Sequence, residues 1–234
     1  MYIGGSMLFS LLSLNLPFYV LTAILVAYIV VLIFSLGSHE YAHALAAYRN
    51  GDMTAKNAGR MTMNPFAHFN AYGFVSLLLF GFGWADPVPV NPYYLTRGKK
   101  SLFQVSVAGI TTNLVLAILF SLLTAALNIF AFDFLMSDNF FAILLYYIAN
   151  LGMQINLSLA VFNILPLYPL DGSKMLELTM KPDNKVLTFL QRYSTLILLT
   201  LLLFGVISVI IDIAISFIGT GMITLWSLLF NLFV

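Results

Sequence analysis

The first 38 residues contain no charged side chain. A run of that length has no way to clothe itself in water, and the structure open to it is a helix that satisfies its backbone internally inside a bilayer. Asn15-Leu16-Pro17 offers a helix start within the run, since proline at the first helical position gives up an N–H that would have no partner there. Pro17 to Leu36 therefore reads as a first crossing. Three more stretches reach the roughly 20 residues needed to span: Leu102 to Phe132, Phe140 to Leu165, and about Tyr193 to Ile218. Tyr72 to Trp84 and Thr220 to Val234 are shorter and read as re-entrant or as a last partial crossing. The expected fold is an all-α multi-pass membrane protein with about four long transmembrane helices, one or two short or re-entrant segments, and residues 1–234 forming a single integral-membrane domain. Only 8% of the side chains are charged, far below the roughly one quarter of a soluble surface.

Charge placement orients the spans. Arg49, Lys56 and Arg60 form one group, Arg97, Lys99 and Lys100 a second, and Lys174, Lys181, Lys185 and Arg192 a third, which accounts for all ten basic residues. Short loops rich in Lys and Arg stay in the cytoplasm. If Tyr72 to Trp84 dips and returns, one hairpin, 102 to 165, carries the chain out and back, and its outer turn, Asp133 to Asn139, has two Asp and no basic residue. The N-terminus is then outside. No basic n-region marks a cleaved signal peptide. A net charge of +1 leaves no face suited to nucleic acid, and the absence of cysteine excludes thiolate metal sites, disulfides and a thiol nucleophile. Short alternating pieces, Thr54 to Met63 and Val88 to Leu95, predict a small β element at the cytoplasmic membrane edge.

His39-Glu40-Tyr41-Ala42-His43 reads H-E-x-x-H on the continuation of the first helix. Residues four apart share a helical face, so His39 and His43 can reach one zinc ion while Glu40 lies beside them to take a proton from water. A glutamate just beyond so long an uncharged run is costly without a partner and points to function. The third long span ends in Asn163-Ile164-Leu165-Pro166-Leu167-Tyr168-Pro169-Leu170-Asp171-Gly172. Two prolines three apart end regular helix there, and Asp171-Gly172 reads either as a turn pair or as the source of a third metal ligand. A helix from Pro17 reaches His39 after about 33 Å and one from Phe140 reaches Leu165 after roughly 37 Å, so both motifs arrive near the same end of their spans. Asp171 can then complete a three-ligand set with one position left for water.

These two motifs, about 120 residues apart, resemble those of the site-2 protease family of intramembrane zinc metalloproteases. The likeness extends through Gly51-Asp52, Gly59 to Pro65, Gly83 to Pro92, and Ala108-Gly109 with Asn113, and is to the short bacterial branch without a PDZ domain. It implies a catalytic core over about residues 17–181. It also implies one Zn2+ per chain held by His39, His43 and Asp171, Glu40 as general base, and Asn163 as a polar helper near the substrate. The implied partners are the lipid bilayer and a transmembrane protein substrate, cut in or near its spanning segment, with no nucleic acid. The implied place is the cell membrane of a bacterium or archaeon, with the active site near the cytoplasmic side. Two other readings remain open. One is a membrane zincin of the prenyl-protein or heat-shock type, whose third ligand would have to be Glu177. The other is a metal transporter or an inactive, chaperone-like relative.

Weaker signals have ordinary readings. His68, alone in a polar loop, reads as structural, and Asp212 as an interfacial carboxylate near the outer end of the fourth span. Trp84, Tyr93 and Tyr94 suit an aromatic belt. Gly81, Gly83, Pro87 and Pro89 mark non-helical backbone, which reads equally as an edge against which a substrate strand pairs or as a plain re-entrant turn.

Overall fold

Pro17 sits at the helix entry with φ −54°, and α1 (Phe18–Arg49) follows it without a break through the H-E-Y-A-H motif. The computed structural model describes residues 16–68, 70–80, 85–137, 139–181 and 183–233. After α1 come α2 (Thr54–Asn57), α3 (Ala71–Phe80), α4 (Lys99–Phe130), α5 (Phe132–Leu135), α6 (Phe140–Asn163), α7 (Asp171–Thr179) and α8 (Lys185–Leu203). The last helix, α9 (Val206–Phe230), contains a π turn at Ile215–Gly219. Five of these, α1, α4, α6, α8 and α9, are long and apolar enough to cross a membrane.

The core is a three-helix bundle of α1, α4 and α6. Along α1, residues four apart are buried one after another: Ala23, Ala27, Val31, Ser35, His39, His43 and Ala47. Helix α4 carries the matching ridge of Ser101, Val105, Gly109, Asn113, Ala117, Ser121 and Ala125. Ridges of this spacing interdigitate when helices pack, and in lipid it is small side chains that let backbones come close. Larger residues pack together near the middle of the bundle, where Val31 and Leu32 of α1 meet Leu151 and Ile155 of α6. The two histidines are thus two teeth of a packed ridge. Arg49 at the end of α1, Lys99 at the start of α4, and the segment after α6 all lie at one end of the bundle, which is its basic end.

The expected β element does not form, and the described residues contain no strand. Thr54–Asn57 is a helical turn, and Pro92–Tyr94 a 3-10 turn. Pro87, Pro89 and Pro92 have no N–H to offer a ladder, and two of the donors that remain go to carboxylates. Glu40 Oε2 accepts from Val88 N–H at 2.9 Å, and Asp52 Oδ2 from Asn91 N–H at 2.7 Å. Of the piece read as re-entrant, Ala71–Phe80 is helical, while Gly81, Gly83 and Trp84 lie outside the described residues.

The C-terminal reading also needs correction, to five long apolar helices instead of about four. The expected span from Tyr193 to Ile218 is broken at Gly205, whose φ of +70° ends α8 in a left-handed turn. Thr220 to Val234 is not a separate partial crossing, because the helix after that break runs from Val206 through the π turn to Phe230. Hydropathy sees no boundary there, since glycine interrupts the backbone without interrupting apolarity. Helix α8 lies against the chain that follows α6: Leu198 packs with Leu167 and Leu170, and Gln191 donates to Glu177 Oε1 at 3.0 Å. Helix α9 then runs parallel to α4. A Cβ on Gly219 would touch Met153 in the middle of α6, Trp226 Nε1–H donates to Ser121 Oγ at 3.0 Å, and the Phe130 and Phe230 rings meet at 5.3 Å. Asp212, near the start of α9, therefore belongs to the basic half of the molecule and not to its outer end. With no native cysteine to interfere, Ser137→Cys and Asn231→Cys should label from one side of the membrane with an impermeant thiol reagent. Arg97→Cys and Lys181→Cys should label from the other. Labelling of Asn231→Cys together with the latter pair would contradict the parallel course of α4 and α9.

Candidate metal centre

One helical turn separates His39 from His43, and each ring is held by its second nitrogen. His43 Nδ1–H donates to the Val105 carbonyl at 2.7 Å, and His39 Nδ1 meets Asn113 Oδ1 at 2.5 Å. A carbonyl only accepts, so on a neutral His43 ring the Nε2 atom is bare. The two Nε2 atoms face each other at 3.0 Å.

Asp171 arrives from the other side. The chain leaving α6 folds back so tightly that a Cβ on Gly172 would lie 2.3 Å from the Ile164 carbonyl oxygen and 2.5 Å from that of Leu165. Only glycine permits this approach, and it sets Asp171 at the first position of α7. The Asp171 side chain caps no backbone N–H. Oδ1 takes Lys174 Nζ at 3.1 Å, while Oδ2 stands 3.3 Å from His39 Nε2 and 2.9 Å from His43 Nε2.

His39, His43 and Asp171 are exposed by only 6%, 5% and 5%, and their ligand atoms all lie within 4.8 Å of one another. With neutral rings, three bare acceptors converge in a buried place with no donor among them. Leaving one buried polar group unmet costs about 1–3 kcal/mol, and a cation is the partner that satisfies all three at once. Gly109 keeps the space open: a Cβ there would stand 2.4 Å from His43 Nε2 and 2.6 Å from His39 Nε2. Two imidazoles and one carboxylate make a donor set suited to zinc.

Glu40 shares the same turn of α1, and Val88 N–H holds its carboxylate. Asn163 is not drawn into the group; its amide donates to Leu159 O, 3.0 Å away on its own helix. Glu177 is bound to Tyr168 and Gln191, away from the three ligand atoms, so the alternative zincin pattern has no third ligand. The His68 ring bonds the Thr62 carbonyl at 2.9 Å through Nε2. Val105, Gly109 and Asn113 do their work from α4, and no spacing in the sequence ties them to the histidines.

A model of peptidase family M50 matches residues 126–205. A Bacillus subtilis protein named "Putative zinc metalloprotease YwhC" is 36% identical over 179 residues, covering 74% of this chain and 78% of the relative. The chain belongs to peptidase family M50, the site-2 protease family. A Mycobacterium tuberculosis protein named "Putative zinc metalloprotease Rip2" is 30% identical over 216 residues, 84% of this chain and 79% of the relative. Its Mycolicibacterium smegmatis counterpart is 33% identical over 176 residues, 72% and 63% respectively. No solved structure matches. Family and helices together make this a multi-pass membrane metalloprotease.

Gly109→Ala should sharply reduce the zinc retained by the purified protein, whereas Gly221→Ala, with nothing within 4 Å of its Cβ position, should leave it unchanged. Metal analysis by mass spectrometry reads both. Equal zinc in the two variants would mean that the space beside Gly109 is not where the ion sits.

Proposed function

We propose that this chain is an intramembrane zinc protease that hydrolyses a peptide bond in or beside a transmembrane segment of another membrane protein. In this reading His39, His43 and Asp171 are the metal ligands, Glu40 is the general base, and Asn163 contacts the substrate. The observation that carries it is the convergence of three buried acceptor atoms with no donor among them. Membership of M50 and the names of the relatives support the class of reaction.

Bound zinc supplies Lewis acidity, polarising the scissile carbonyl and making water easier to deprotonate. The rest falls to the chain's own groups. Glu40 is fixed through Oε2 by Val88 N–H, which leaves Oε1 to take the proton of the attacking water and pass it to the leaving amine. Asn163 keeps its Oδ1 and a second N–H for the substrate backbone, at the point where Pro166 and Pro169 interrupt regular helix.

Ten residues separate His39 from the end of α1 at Arg49, and ten separate Gly109 from the start of α4 at Lys99. At 1.5 Å per residue the centre is recessed about 15 Å from the basic end. That end faces the cytoplasm under the positive-inside rule. A substrate helix hides its amides in internal hydrogen bonds, so it must be unwound locally before attack. Substrates with polar or helix-breaking residues at the cleavage point are therefore favoured.

The test uses the full chain in detergent with single-span membrane proteins as substrates, reading zinc content and product together. Glu40→Gln should keep the ion and lose about 10² to 10⁴ in rate, the usual contribution of a general base. Asp171→Ala should lose both ion and cleavage. Turnover by Glu40→Gln within about twofold of the native protein would remove Glu40 from the chemistry. Zinc binding without any Glu40-dependent cleavage would favour a transporter or an inactive relative.

A further inference from the structure

His39 can offer Nε2 to a metal only if the ring's single proton sits on Nδ1, and nothing in the ring itself decides between the two tautomers. Its partner, Asn113, does not decide either, because an amide can present oxygen or nitrogen with equal ease. The choice is made further away. Asn113 Nδ2 donates to Asn156 Oδ1 at 2.9 Å, and Asn156 Nδ2 donates to the Gly152 carbonyl and to Ser35 Oγ, both at 2.8 Å. Asn113, Asn156 and Ser35 are each 0% exposed.

The Gly152 carbonyl is the one group in this series whose role cannot be reversed, since it only accepts. It forces the Asn156 nitrogen toward itself and the Asn156 oxygen toward Asn113. Asn113 must then turn its nitrogen to Asn156 and its oxygen to His39. His39 in turn must carry its proton on Nδ1. Turning either amide over would set two acceptors face to face at 2.9 Å or less in a dry interior, an unmet pair that burial makes costly.

We propose that Asn156 is a positioning residue for the metal centre, acting through Asn113 to fix the His39 tautomer and keep Nε2 bare. The series leaves α1 at His39, crosses α4 at Asn113 and α6 at Asn156, and returns to α1 at Ser35, one turn before it began. Assembly of the three-helix bundle and preparation of the ligand are thus one event. Outer partners of a metal-bound histidine typically matter 10- to 100-fold for affinity. The inference rests on the reading of His39 as a metal ligand.

The experiment measures zinc dissociation constants of the metal-stripped full chain in detergent, by competition with a chromophoric chelator, and the visible absorption of its cobalt(II) form. Asn156→Leu should weaken zinc about 10-fold or more and alter the cobalt spectrum. Asn156→Asp should bind within about threefold of the native protein. In its protonated form the carboxyl can donate to Gly152 and accept from Asn113 as the amide does. The Asn113→Leu, Asn156→Leu double variant should bind no more weakly than Asn113→Leu alone, because the two residues act in series. Native affinity in Asn156→Leu, or losses in the double variant that multiply, would overturn the proposal. If the leucine variant does not fold, Asn156→Ser, too short to reach Asn113, should show the same loss. His39→Ala separates the two levels: native zinc affinity in that variant would refute the ligand assignment itself.

Discussion

The geometry of the candidate metal centre depends on how closely α1 approaches α4. The fully buried Ala23, Ala27, Ser35 and Ala47 of one helix, and Ser101, Ser106, Asn113, Ala117, Ser121 and Ala125 of the other, add little bulk between the backbones. With that spacing the Val105 carbonyl comes within 2.7 Å of His43 Nδ1 and Asn113 within 2.5 Å of His39 Nδ1. Both rings are thereby turned with Nε2 inward. Bulkier residues on either ridge would separate the helices and release the rings. Gly109 is the extreme case, since at its level the two imidazoles themselves occupy the contact surface.

A bundle held by dispersion and small residues tolerates few polar groups, and several of those present are arranged as donors matched to acceptors. Ser35, Asn113 and Asn156 satisfy one another, and Asp52 binds Thr54 and Asn91. The candidate metal centre departs from this matching. There the facing atoms of His39, His43 and Asp171 are all acceptors, a set that favours a cation. Glu40 lies just outside that set, with the segment around Val88 determining how its carboxylate is presented.

Several features were readable in the sequence. The uncharged run before His39, the four-residue spacing of the histidines and the hairpin 102 to 165 are local patterns of hydropathy and helical period. They correspond to α1, to the paired imidazoles, and to α4 and α6. The misreadings share one cause. The alternation at 54–63 and 88–95 suggested strands, but a strand needs a partner for its backbone, and prolines and nearby carboxylates left none. The apolar stretch from Tyr193 to Ile218 suggested one crossing, but hydropathy carries no information about direction, and a single left-handed glycine divides it.

The sequence by itself determined that the chain belongs in a bilayer, which helix carries the two histidines, and that a carboxylate follows a proline turn at the same end, because each of these follows from spacing within one segment. Only the tertiary structure decided that Asp171 Oδ2 meets both imidazoles, that α9 runs parallel to α4, and that Asn113 and Asn156 stand behind His39. Those relations join residues 43 to 132 positions apart, and such distances are closed by helix packing, whose geometry is set by the shape of whole ridges and leaves no local signature in the chain.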